Sequence, residues 1–263
     1  MVDFTFRRGM FRIREMAFGE IDNRVNKCDV LYFHSMDISC KYEPDTTFIL
    51  NKQYTLLNDL SKSEEELQNS IKKNCRYEIR RAEREEATFQ VYTDFNTAKK
   101  QNVIDNFENT YNEMFKSKQL SLQFNRRLVE SAFKSKQCII TVSQIPLYEN
   151  IAVYHAYLMD EENAMLMYSA SSIWCNNNKE VVNCIGRMNK FLHWKEMQWL
   201  KEKKVKRLEW GGISSPVKPN GIDKFKMEFG GNTVCYNNYI IAKSSIGKLY
   251  VRGIKFRQSQ RGE

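Results

Sequence analysis

The residues of this chain that can do chemistry are few and scattered. Histidines stand at 34, 155 and 193, and cysteines at 28, 40, 75, 138, 175, 184 and 235. There is no C-x-x-C pair, and no closely spaced ligand set of the kind a structural zinc site needs, so no metal is expected. Scattered cysteines in odd number point to reduced thiols packed as small hydrophobes. Cys184 and His193 share one helical stretch on faces about 180° apart, which denies them a nucleophile–base pairing. His155 sits in a strand-like run and reads as a core histidine, with Tyr154, Tyr157 and Tyr168 as alternative hydroxyl donors. One chemistry needs no enzyme nucleophile: acyl transfer to an amine. It requires a neutral amine, a donor carbonyl held beside it, and positive charge where the oxyanion develops.

The elements that must position such groups can be read from periodicity. Met10–Met16, Val30–Ser35 and Thr47–Leu50 are β-like runs. Ser61 or Ser63 then caps a helix that runs over 63–86, with acidic residues in its first turn. On that helix Leu67, Ile71, Cys75, Ile79 and Ala82 span an arc of about 120°, the core face. Lys73, Arg76, Arg80 and Arg84 form a cationic stripe of about 80° nearly opposite, while Glu78 and Glu83 sit away from it. A strand follows over 88–92, then helices over 98–117 and 121–135. Strands over 138–145, 151–160 and 164–171 come next, joined by connections too short for parallel crossovers. A polar loop at 176–179, a long helix over 179–204, a strand over 205–210, a short helix over 222–229 and a strand over 233–242 complete the order. The alternation predicts a mixed sheet covered by helices, an α+β (mixed α/β) fold.

The chain has 263 residues, of which 42% are hydrophobic and 13% aromatic, enough to build a core and to exclude disorder. Eleven glycines and four prolines exclude collagen-like and linker-dominated chains. No window approaches the ~20 apolar residues of a membrane helix. Met1–Arg8 lacks the apolar core of a secretory signal, so a cytoplasmic protein is expected. The formal charge of +9 favours polyanionic partners: RNA, phosphorylated sugars, coenzyme A or an anionic membrane face.

Three motifs resemble the Fem-type peptidyltransferases, the FemABX family. Leu208-Glu-Trp-Gly-Gly-Ile, followed by Gly221-Ile-Asp-Lys-Phe-Lys-Met-Glu-Phe-Gly-Gly, looks like the family's C-terminal signature. There an acidic residue and a glycine pair end a strand, and a helix carries "FK" and closes on "FGG". Thr55-Leu-Leu-Asn-Asp-Leu-Ser, continuing to Arg76-Tyr-Glu-Ile-Arg-Arg-Ala, is similar to the family's "DLS" helix with its "R-x-x-I-R-x-A" end. Tyr168-Ser-Ala-Ser-Ser leads into the helix with Leu192-His-Trp. The matches span roughly residues 54–240.

The resemblance implies a GNAT-type acyltransferase core with a truncated N-terminal GNAT-like half. Residues 1–95 would form that half with the basic helix 63–86, residues 96–242 the core, and residues 243–263 a basic tail. It also implies the transfer of an acyl or aminoacyl group onto an amine of a cell-envelope glycan or peptidoglycan precursor. The donor would be aminoacyl-tRNA or acyl-CoA, with no tightly bound cofactor. The acceptor would be a nucleotide- or lipid-linked glycan precursor, with peripheral contact at the inner face of the membrane. By the same matches Lys226 stabilises the reacting carbonyl, with Phe225 packed beside it, and Glu209 positions or deprotonates the amine. Arg76, Arg80, Tyr168, Ser169, Trp210, Gly211, Gly212, Lys224 and Gly230 are the expected substrate-binding positions. The stretch Ser169–Asn178 has no glycine-rich pyrophosphate loop, which sets the chain apart from ordinary acetyl-CoA enzymes. Two alternatives stand: an acyl-CoA-dependent N-acyltransferase acting on an amino sugar in polysaccharide biosynthesis, and a degenerate, non-catalytic member that binds RNA or a protein partner.

Overall fold

A computed structural model describes residues 1–20, 28–37, 42–148, 151–172 and 178–260. Cys40, Cys175, most of the polar loop before the long helix, and Arg261 lie outside the described residues. Two compact units are present, residues 1–55 with 233–263 and residues 56–232. They divide the chain differently from the expected 1–95, 96–242 and 243–263. The basic helical segment belongs with the larger unit, and the C-terminal segment belongs with the N-terminal strands.

In the smaller unit, β1 (Val2–Arg8) and β2 (Phe11–Ala17) form an antiparallel hairpin turning at Gly9-Met10. β3 (Val30–Asp37) pairs parallel to β2, and β10 (Asn232–Ala242) pairs antiparallel to β3. Met16, Leu31, Phe33, Tyr239 and Ile241 make its core. The C-terminal segment, expected as a tail, is a helix, α8 (Ser245–Gln260). The start of α8 is tied to the residue before β3, where Ser244 Oγ donates to Asp29 Oδ1 at 2.7 Å. β4 (Phe48–Asp59) starts in this unit and ends in the other. It extends far beyond the expected Thr47–Leu50, so the Thr55–Asp59 part of the "DLS" match is strand rather than helix.

The larger unit orders its strands β4-β9-β8-β7-β6-β5. β6 (Cys138–Gln144), β7 (Ala152–Met159) and β8 (Asn163–Ser171) form the antiparallel meander read from the sequence, with β5 (Gln90–Tyr92) on its edge. β9 (Arg207–Glu209) pairs parallel to β8 and antiparallel to β4. The expected mixed sheet is thus present. Helices α3 (Phe95–Lys100), α4 (Val103–Ser117) and α5 (Arg126–Lys134) precede the meander, and α6 (Lys179–Glu202) and α7 (Gly221–Lys226) follow it.

The helix expected over 63–86 is two helices, α1 (Glu64–Ser70) and α2 (Lys73–Arg84), with Ile71 and Lys72 extended between them. Ser63 caps α1 in a reciprocal capping box with Glu66. The break has a partner: the Lys72 amide donates to the Glu228 carbonyl at 2.8 Å. Leu67, Ile71, Cys75, Ile79 and Ala82 are all buried, as their spacing requires. Acidic residues off the stripe, with Glu85 at the end of α2, tie α2 to α6. Glu78 pairs with Lys190, Glu83 with Lys195 at 3.1 Å, and Glu85 with Arg187 at 2.8 Å.

Candidate active site

A pocket of about 440 Å³ opens in the larger unit between α4, β8, α6, the turn after β9, and α7. β8 carries a register shift here: Tyr157 faces Leu166 while Ala156 faces Tyr168, so Met167 is an extra residue. A bulge breaks the strand's alternation, and Leu166, Met167, Tyr168 and Ser169 all line the pocket. Across from them Gly211 turns the chain after β9 at a φ of +71°. A Cβ there would stand 2.2 Å from the Leu166 carbonyl oxygen. Gly211→Ala is therefore expected to cost at least about 2 kcal/mol, from the left-handed backbone and the overlap together, as read by urea unfolding.

Asn220 and Asp223 form a capping box at the start of α7. The Asp223 carboxylate also accepts from the Ser214 amide at 3.0 Å and the Asn220 amide at 3.1 Å, which folds the loop back on the helix. That closure brings Lys226 under the turn after β9. Its Nζ donates to the Trp210 carbonyl at 2.7 Å and the Gly212 carbonyl at 2.6 Å. Burial pushes the Lys226 pKa down, and the Glu209 and Asp223 carboxylates oppose that shift. Lys226, Phe225, Tyr168, Ser169, Trp210 and Gly211 are thus brought together around one pocket.

The other expected positions lie elsewhere. Glu209 is buried within β9, between Leu57 of β4 and Met165 of β8, and does not line the pocket. Gly212 contributes its carbonyl to Lys226. Arg76 closes the end of α1, donating to the carbonyls of Gln68, Asn69 and Ile71 at 3.0, 3.2 and 2.9 Å. It satisfies carbonyls that the helix break would leave bare. Arg80 and Lys224 are exposed and off the pocket. Gly230 has a φ of +73° and lies against Ser70, where a side chain would collide, so its place in the motif is a packing requirement.

Beneath the pocket lies a polar cluster that residue types alone did not single out. Glu196 of α6 is fully buried. Its Oε1 is 2.8 Å from His155 Nδ1 and accepts from the Thr141 hydroxyl. Its Oε2 accepts from the Tyr157 hydroxyl at 2.5 Å and lies 3.0 Å from His193 Nδ1. The two imidazoles stack at 4.0 Å between centroids, and His155 Nε2 reaches Asn189 Oδ1 at 3.0 Å. Because the carboxylate can only accept, both Nδ1 atoms carry hydrogen. The carboxyl is held down at about 2: burial pushes it up, and the charge and hydrogen bonds of His155 and the bonds from His193 outweigh burial. His193 is lowered to about 4, by burial first and then by the neighbouring His155. The nitrogens and carboxylate oxygens of His155, His193 and Glu196 are close enough to hold an ion, but hydrogen bonds between these groups account for their arrangement. The signal was present in the spacing. Asn189, His193 and Glu196 share one face of α6, His155 and Tyr157 share one face of β7, and Thr141 is directly opposite His155.

Among the described residues Cys28, Cys75, Cys138, Cys184 and Cys235 are free thiols, and all but Cys235 are buried. No helix of the described residues is long and apolar enough to cross a membrane.

No family model and no curated protein matches this sequence. Solved structures do. FemX aligns over 94% of this chain and 86% of its own, with a TM-score of 0.57 at 10% identity. The C-terminal domain of a proposed lysylphosphatidylglycerol synthetase from Agrobacterium fabrum aligns over 95% and 83%, with a TM-score of 0.55 at 13% identity. L-PGS from Bacillus licheniformis aligns over 94% and 84%, with a TM-score of 0.51 at 12% identity. Similarity at these identities is similarity of fold: the chain shares with FemX a mixed α/β architecture.

Proposed function

We propose that the protein transfers an aminoacyl or acyl group from an activated carbonyl donor, aminoacyl-tRNA or acyl-CoA, to an amine of a cell-envelope glycan or peptidoglycan precursor. Lys226 carries this reading: a largely buried ammonium, fixed by two main-chain carbonyls, lines a pocket of small-substrate size. Two of its three N–H bonds are taken, and the third serves the donor's carbonyl oxygen. The reading is further supported by the fold shared with FemX and with the C-terminal domain of a protein named as a lysylphosphatidylglycerol synthetase.

In this mechanism the amine nitrogen attacks the carbonyl carbon, and Lys226 stabilises the oxyanion that forms. The attacking nitrogen becomes acidic once bonded to carbon. Its proton passes to His193 Nε2, the basic atom left free by the Nδ1–H bond to Glu196. The C–O bond of the tRNA ester, or the C–S bond of the thioester, then breaks, and the proton leaves on that oxygen or sulfur. Glu209 acts through Lys226 rather than on the amine, because its carboxylate favours the charged form of the lysine from outside the pocket.

The test offers purified protein two donor types, radiolabelled aminoacyl-tRNAs and acyl-CoA, each with nucleotide-linked and lipid-linked precursors. The expected result is a labelled product whose mass gain maps to an amine, formed by the wild type and not by Lys226→Ala. Absence of transfer from both donors to both acceptors would overturn the proposal.

A further inference from the structure

Helix α8 carries Lys248, Arg252, Lys255 and Arg257 and no acidic residue. Its buried side, with Gly247 and Val251, rests against β3. The opposite side is unusual for a solvated helix. Leu249 and Phe256 are each 65% exposed, and with the exposed Ile246 they span about 80° of the helix surface. Lys248, Arg252 and Lys255 form a band directly beside that stripe, and Arg257 borders its other side. The β1–β2 turn lies next to it. Phe11 packs edge-on to Tyr250 at 4.7 Å, Arg8 donates to the Tyr250 hydroxyl at 3.2 Å, and both flank a groove that Leu249 and Arg257 also line. At the tip of that turn Met10 is 70% exposed, with Arg7, Arg8 and Arg12 around it.

We propose that this face, made of α8 and the β1–β2 turn, docks the protein on an anionic lipid surface. Leu249, Phe256, Ile246 and Met10 would enter the headgroup layer while the surrounding cations meet lipid phosphates. Exposed apolar side chains ringed by long cationic ones match a bilayer interface, where the stems of Lys and Arg lie along the apolar layer and their heads reach the phosphates. The chemistry favours lipid over RNA. Leu249, Ile246 and Met10 offer no ring on which bases can stack, and their exposure adds nothing to phosphate binding. A phosphorylated lipid precursor held at such a surface would be presented to the protein in two dimensions, but the docking does not depend on the transfer reaction.

Co-sedimentation with vesicles tests this directly, comparing phosphatidylcholine alone with phosphatidylcholine containing about one-third phosphatidylglycerol. The wild-type protein is expected on the anionic vesicles only. Each cation near such a surface is worth about a five-fold change in partitioning, so Lys248→Glu, Arg252→Glu and Lys255→Glu together should reduce binding by at least about 100-fold. Leu249→Ser with Phe256→Ser should reduce it by about tenfold or more. These side chains are exposed, so thermal unfolding of the variants should match the wild type. Equal binding to neutral vesicles, no binding to anionic ones, or full binding by either variant would overturn the proposal. If the serine variant binds vesicles like the wild type and transfer RNA displaces both, the face is a nucleic-acid surface instead. None of these outcomes bears on the pocket around Lys226.

Discussion

Lys226→Ala is expected to lower kcat by about 10²–10³ while leaving donor and acceptor binding nearly unchanged. A pre-positioned donor acts mainly on charge that appears in the transition state, so its removal slows the chemical step without loosening the ground-state complex. The pre-positioning is visible: the Trp210 and Gly212 carbonyls hold the ammonium, and the Asn220–Asp223 capping box holds the helix that carries it. Burial adds to the effect, because a charge–oxyanion interaction is stronger where water is excluded. Lys226→Arg should recover part of the rate. Its planar fork can reach the same two carbonyls, but it cannot place a single N–H where the ammonium did. Steady-state kinetics with circular dichroism on each variant decides the matter. A near-normal kcat in a folded Lys226→Ala protein removes the lysine from the mechanism and returns it to a loop-anchoring role.

Glu196→Ala should lower the unfolding free energy by about 3–5 kcal/mol, because it leaves two buried imidazoles and a tyrosine hydroxyl without their acceptor. The same cluster predicts the acid side of the stability profile. The Glu196 carboxyl is held at about 2 in the folded protein against an ordinary 4.5. Its contribution is complete above about 4.5 and is lost as the pH falls towards 2. His193 titrates at about 4 against an ordinary 6.5, so the unfolded chain takes up its proton first. Between pH 6.5 and 4 the unfolded state therefore binds more protons, and stability falls as the pH falls. Both groups act in the same direction. Unfolding free energies from urea titrations run from pH 7 down to pH 3 should decline throughout, by a few kcal/mol in total. Glu196→Gln keeps the shape and loses the charge, so it should flatten the part of the slope below pH 4.5. An unchanged profile in Glu196→Gln would show that the cluster does not titrate as a unit.

Much of this architecture follows from local rules that act within a few residues. Ser63 with Glu66, the alternation in β6 and β7, the short connection before Asn163, and the apolar spacing on α2 each dictate an element whatever surrounds it. The Leu208–Ile213 and Gly221–Gly231 motifs brought Lys226, Phe225, Trp210 and Gly211 to notice, and these residues do meet at one pocket. What the sequence could not determine were the effects of partners distant along the chain. The split between α1 and α2 depends on the Glu228 carbonyl, more than 150 residues away, and Arg76 is claimed by the carbonyls that the split exposes. Residues Thr55–Asp59 could have been read as helix or strand, and pairing with β9 decided for strand. Glu209 is set between two strands by that same pairing and is absent from the pocket lining. Spacing puts three of the buried cluster's positions on one face of α6 and two on one face of β7, but only the sheet lays those faces, and Thr141 of β6, against one another. A buried carboxylate must find several donors at once, and only the tertiary structure could show that Glu196 finds His155, His193, Tyr157 and Thr141.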